Sequence, residues 1–138
     1  MLNCISFLRY QNLKLLNREL TFTVDTSRIG CGYNGALYFV DMSSAINQAP
    51  SGGGYCDAGG SAPSCAEMDI WEANSASSVF TIHSPNDHNG CGYFINSAGN
   101  FYGPNNNLNT NQPFDVVTVI PCRLNHLLNS FRRYICEV

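Results

Sequence analysis

Leu20-Thr21-Phe22-Thr23-Val24-Asp25 alternates strictly between apolar and polar side chains, the period of a β-strand with one buried face. Phe22 is therefore expected to face a core. Beyond the turn-forming residues of Ser27–Asn34, the run Ala36-Leu37-Tyr38-Phe39-Val40 is rich in strand formers. Its parity sets Leu37 and Phe39 on one face, and Asn34, Ala36 and Tyr38 on the other. Ser51–Ser64 is rich in Gly, Ser and Pro and reads as a loop, with a new strand beginning at Cys65. His83–Asn111, dense in Asn, Gly and Pro, predicts mostly loop with a short aromatic break at Asn100-Phe101-Tyr102-Gly103-Pro104. Phe114–Ile120 is apolar on both faces and predicts a central strand. Short strands separated by turn residues argue for an all-β sandwich. No internal repeat interrupts this pattern. At the end of the chain Leu124, Leu127, Leu128, Phe131 and Ile135 recur at helical spacing beside Arg123, Arg132 and Arg133, which predicts a short helix over Leu124–Ile135.

The 138 residues suffice for one domain, and 44% hydrophobic residues is an ordinary globular figure. Charged residues make up only 12%, well under the usual roughly 25%, so the surface is neutral and polar. A net charge of −3 and a pI near 5.4 provide no basic stripe for a phosphate backbone, which argues against nucleic acid as a partner. No run approaches the roughly 20 apolar residues of a membrane span. A neutral, hydroxyl-rich ligand suits this composition better.

Seven cysteines, Cys4, Cys31, Cys56, Cys65, Cys91, Cys122 and Cys136, favour an oxidising compartment. Their odd number implies a free thiol or partners outside this chain. No C-x-x-C pair occurs, and His83, His88 and His126 have neither the spacing nor the neighbours of a metal site. Met1–Tyr10 lacks the basic leader and small-residue cleavage site of a signal peptide. Secretion is expected from the cysteines and from the chemistry below.

Glu67-Met68-Asp69-Ile70-Trp71-Glu72 concentrates three of the ten acidic residues into six positions. Hydrolysis of a glycosidic bond needs one carboxyl to protonate the departing oxygen and another to attack or stabilise the anomeric carbon. In an ideal strand Glu67 and Asp69 share a face while Glu72 points away, so a bulge near Ile70–Trp71 is required to bring all three together. A carboxyl separation of about 5–5.5 Å would then mean retention of configuration. Crowding Asp69 between two carboxylates raises the cost of ionising every member and is expected to keep one of the three protonated, and Asp69 can steady Glu67 by sharing a proton. The competing interpretation is an ordinary solvated strand face.

Asn17–Phe22, Cys31–Val40, Gly54–Asp57 and Glu67–Asn74 follow one another as in glycoside hydrolase family 7, the fungal and protist cellobiohydrolases and endoglucanases. Phe101–Pro104, Gln112–Thr118 and Arg132-Arg133-Tyr134 also resemble that family. The resemblance implies a jelly-roll, concanavalin-like β-sandwich that binds cellulose or another β-glucan in a groove and hydrolyses β-1,4-glucosidic bonds with retention. It assigns Glu67 as nucleophile, Glu72 as acid/base and Asp69 as supporting acid. Asn34, Tyr38, Tyr55 and Asp57 resemble residues near the nucleophile and the sugar, and His83 resembles a histidine near the acid/base. No cofactor or metal is implied, and a monomer is expected.

The resemblance also pairs Cys56 with Cys65. A neighbouring family disulfide is absent, with Gly60 and Ser64 at its two positions; Cys31 resembles a cysteine whose mate lies beyond this chain, and Cys91 lacks its family partner near Pro85. Family members are much longer, so residues 1–138 are expected to be a fragment of one catalytic domain, family-like over 10–118 and divergent over 121–138. Such a segment would be active only within a full enzyme. Two rivals remain: a family 16-like β-1,3(4)-glucanase, and a non-catalytic sandwich that binds glucan through Tyr38, Trp71 and Tyr102.

Overall fold

The computed structural model of the chain describes residues 13–42, 55–59, 64–96 and 99–121. Among these residues eight strands run in the order β1 (Arg18–Val24), β2 (Gly35–Val40), β3 (Glu67–Ala73), β4 (Ser77–His83), β5 (Cys91–Asn96), β6 (Tyr102–Gly103), β7 (Leu108–Asn109) and β8 (Phe114–Ile120). Strands β2-β3-β4-β5 form one antiparallel sheet, β1 and β8 pair as an antiparallel ribbon, and β6 and β7 make a short parallel pair. The predicted all-β sandwich is the architecture found: the ribbon packs over one face of the four-stranded sheet, and among the described residues the other face is open.

The alternation in β1 does what its sequence dictates. Phe22 and Val24 turn inward and, with Phe114 and Val116 of β8, pack on Trp71 and Ala73 of β3 and on Tyr102. Trp71 is the hub, with its ring centroid 5.7 Å from Phe80, 6.1 Å from Tyr102 and 5.6 Å from Phe114 at inclined or edge-on angles. Such tilted contacts suit the quadrupoles of aromatic rings. The Tyr102 hydroxyl, although buried, donates to the Asn74 carbonyl at 2.8 Å, which removes the cost of an unpaired polar group in the core.

Two features of the chain differ from the expectations of its sequence. Strand β8 pairs only with β1 among the described residues, and Val117 and Val119 project outward; the apolar outer residues reflect strand propensity rather than a central position. The His83–Asn111 region is less irregular than expected, because Cys91-Gly92-Tyr93-Phe94-Ile95-Asn96 forms β5 against β4. Turn-forming Gly and Asn masked a Tyr-Phe-Ile core there, and Gly92 has a packing reason to be glycine. A Cβ at that position would lie 3.0 Å from the Phe80 carbonyl oxygen and from Thr81 Oγ1. Trp71 and Tyr102, two of the three aromatics a glucan-binding module would have used, lie in the core. The helix expected over residues 124–135 falls outside the described residues.

Candidate active site

The open face of the four-stranded sheet is built by an irregularity in β3. Against β2, Leu37 lies opposite Trp71 and the next residue, Tyr38, opposite Asp69, so Ile70 is an extra residue. Against β4, Asp69 faces Thr81 and Glu72 faces Val79, leaving Ile70 and Trp71 opposite Phe80 alone. Two residues opposite one is a β-bulge, and it reverses the parity of everything beyond it. Glu67, Asp69 and Glu72 therefore share one face, although Glu67 and Glu72 are an odd number of residues apart. Trp71 turns into the core on the other face, so the packing of that ring and the display of Glu72 are two consequences of the same bulge.

Each carboxylate has a distinct neighbour. Glu67 Oε2 accepts a hydrogen bond from the backbone N–H of Ala58 at 2.7 Å. Ala58 is carried to it by a disulfide between Cys56 and Cys65, with Cα atoms 5.7 Å apart, and by the Cys65 N–H donating to the Asp57 carbonyl at 3.1 Å. The pairing implied by family resemblance is thus present. Glu72 Oε1 accepts from Asn34 Nδ2 at 2.8 Å. Asn34 lies just before β2 and belongs to the face its parity predicted.

Asp69 lies between the two glutamates on this face and is 5% exposed. Burial, then the negative charges of Glu72 and Glu67, then a hydrogen bond to Glu67 push its carboxyl up to about 7, with His83 acting in the opposite direction. A group so placed holds a proton under mildly acidic conditions, which lets it donate to the Glu67 carboxylate.

His83 contacts this centre through Asp69. Its Nε2 lies 3.0 Å from Asp69 Oδ2, and its Nδ1 lies 2.7 Å from the Asp87 carbonyl oxygen. A carbonyl can only accept, so Nδ1 carries a proton, and the Nε2 edge shares a further proton with Asp69. Both ring nitrogens are engaged within the protein, so His83 holds Asp69 in this arrangement.

Tyr38, Tyr55 and Asp57 form one chain of hydroxyls beside the carboxylates. Tyr55 donates to Asp57 Oδ2 at 2.9 Å, and the Tyr38 and Tyr55 hydroxyl oxygens are 2.8 Å apart. With the Tyr55 proton given to Asp57, Tyr38 is the donor between the tyrosines. Burial, reinforced by these two hydrogen bonds, raises the Tyr55 hydroxyl well above the ordinary tyrosine range. Asp57 Oδ1 is buried and has no hydrogen-bond partner among the described residues. Every site residue picked out in the sequence is thus connected to this face.

Sequence reasoning missed Ala58, whose contribution is a backbone N–H, and the turn that seats His83. Gly90 has φ +62° and donates its N–H to Asp87 Oδ1 at 3.0 Å. A Cβ on Gly90 would lie 2.6 Å from the His83 ring. The signal was present in Asp87-His88-Asn89-Gly90, an Asp and a Gly at turn spacing. Among the described residues no group of three or more His, Cys, Asp or Glu side chains is arranged to hold a metal ion. Cys31 is a free, exposed thiol, while Cys91 is disulfide-bonded.

The sequence profile of glycosyl hydrolase family 7 matches residues 6–64. An endo-β-1,4-glucanase, celB of Aspergillus oryzae, is 39% identical over an alignment covering 79% of this chain and 36% of that protein. In structure, the native endocellulase EGI of Humicola insolens matches with a TM-score of 0.67 and 32% identity, over 84% of this chain and 40% of that one. A cellobiohydrolase from Melanocarpus albomyces, solved in complex with cellotetraose, matches with a TM-score of 0.61 and 28% identity, over 81% and 41% of the two chains. The chain spans about a third of the length of the curated relatives it matches.

Proposed function

Since the chain belongs to glycosyl hydrolase family 7, we propose that it carries the catalytic centre of a secreted, monomeric cellulase that hydrolyses β-1,4-glucosidic bonds with retention of configuration. The observation that supports this best is the bulge at Ile70–Trp71, by which Glu67, Asp69 and Glu72 share an open sheet face. Without it, Glu72 would lie on the core face and could not act with Glu67 on one sugar.

In the first step the Glu67 carboxylate attacks the anomeric carbon while the Glu72 carboxylic acid gives its proton to the glycosidic oxygen, and the C–O bond breaks. The leaving chain departs as an alcohol, and the sugar remains as an ester on Glu67. In the second step the Glu72 carboxylate takes a proton from water, whose oxygen attacks the same carbon and frees Glu67. The Ala58 N–H and a protonated Asp69 orient the Glu67 oxygens before attack, and Asn34 orients Glu72. Tyr38, Tyr55 and Asp57 offer hydroxyl and carboxylate groups for sugar hydroxyls on one side of this centre. The substrate class follows from the relatives, named endoglucanases and cellobiohydrolases.

The test joins this segment to the remainder of a family 7 catalytic domain and compares that protein with its Glu67→Gln variant on carboxymethyl-cellulose and on laminarin. Reducing ends released from carboxymethyl-cellulose, and lost by several orders of magnitude in the variant, support the proposal. Release from laminarin alone, or none from either glucan, refutes it.

A further inference from the structure

Phe94 stands on the same sheet face as the three carboxylates. Its neighbour Ile95 packs against the Trp71 cluster in the core, so by the alternation of β5 the Phe94 ring projects from the opposite, open side. Register aligns Glu72 with Val79 and Val79 with Phe94 across three neighbouring strands. Two strand spacings place Phe94 roughly 10 Å from Glu72. The adjoining row runs from Asp69 through Thr81 to Gly92 and ends without a side chain, so nothing on β5 screens the ring on that flank. Phe94 is 58% exposed, so its ring is accessible to a ligand on this face.

We propose that Phe94 is a stacking platform for one sugar ring of the β-glucan, on the side of the carboxylates away from Tyr38, Tyr55 and Asp57. This deepens the catalytic reading given above and rests on it for the identity of the substrate. A β-glucose ring holds its hydroxyls near its equator and exposes C–H groups on both faces, so a flat apolar side chain recognises the ring face. Phenylalanine has no polar handle and cannot read hydroxyls. The cleft thereby divides recognition in two: a hydrogen-bonding wall of Tyr38, Tyr55 and Asp57 at β2, and an apolar platform at β5, with Glu67 and Glu72 between them. A chain lying across the strands would touch both.

The experiment titrates cellohexaose, long enough to reach from β2 to β5, into the Glu67→Gln chain by calorimetry. The same titration is made with Phe94→Ala, Phe94→Leu or Phe94→Trp added. Expected are a loss of about tenfold in affinity for Ala, most of that loss for Leu, which has bulk but no flat ring, and none for Trp. Equal binding by all four proteins, a loss for Trp as large as for Ala, or no binding of cellohexaose to the Glu67→Gln chain would each overturn the proposal. If Ala alone unfolds by circular dichroism, the contrast of Leu with Trp decides. Turnover is suppressed in this background, so the result is independent of hydrolysis: binding through Phe94 with no hydrolysis by the completed wild-type enzyme would refute the catalytic reading alone.

Discussion

His83 and Asp69 meet edge to edge, with Nε2 3.0 Å from Oδ2, and Asp87 holds the far side of the imidazole through its backbone carbonyl. A hydrogen-bonded line thus runs from the Asp87 backbone through His83 and Asp69 to Glu67.

Stability should depend on pH through Asp69. Its carboxyl titrates near 3.8 in the unfolded chain and at about 7 when folded, so folding takes up a proton between those values. The contribution is complete below about pH 4 and is lost as pH rises through 7. Asp69→Asn, which cannot ionise, should flatten this part of the profile. Thermal unfolding from pH 4 to pH 8 measures the difference, and parallel profiles for the two proteins would contradict the assignment.

Gly90→Ala should unseat His83. The new methyl would meet the imidazole and Thr81 at 2.6 Å in a left-handed backbone conformation, at a cost of roughly 1–3 kcal/mol. The ¹⁵N shifts of the His83 ring should move because the Asp87 and Asp69 contacts change together. An unaltered imidazole spectrum in a destabilised protein would mean that the turn and the ring are not coupled.

Glu72→Gln should lower the rate on β-glucan by about 10²–10⁴-fold. The loss in kcat/KM, which reports the first step alone, should be much smaller on an aryl cellobioside whose leaving group departs without a proton. Equal losses on the two substrates would remove Glu72 from the acid/base role.

Replacing Cys56 and Cys65 together by alanine should cost roughly 2.5–3 kcal/mol by loop-closure entropy. It should also lower activity at temperatures where the variant is still folded, because the same loop carries the Ala58 N–H to Glu67. Full activity in the folded variant would show that this contact does not orient the nucleophile.

Much of this was legible in residue order. Strand alternation at Leu20–Asp25, the shared face of Asn34 and Tyr38, and the need for an irregularity near Ile70–Trp71 all follow from a period of two, which local sterics impose whatever surrounds the strand. The β4–β5 hairpin was not legible, because Ser, Gly and Asn weigh against strand locally and only the pairing of β4 with β3 and of β5 with β4 overrides them. The outward place of β8 was hidden for the converse reason, since its valines favour a strand without saying how many neighbours it has.

By itself, then, the sequence determined the chemistry available: three clustered carboxyls, their aromatic and amide company, and the strand period that sorts them to faces. Only the tertiary structure decided that His83 serves Asp69 through the Asp87–Gly90 turn, that a backbone N–H from a disulfide-closed loop reaches Glu67, and that Phe94 shares the acidic face. Those relations join residues on different strands and loops, and their geometry is set by register and by core packing around Trp71. No local pattern encodes either.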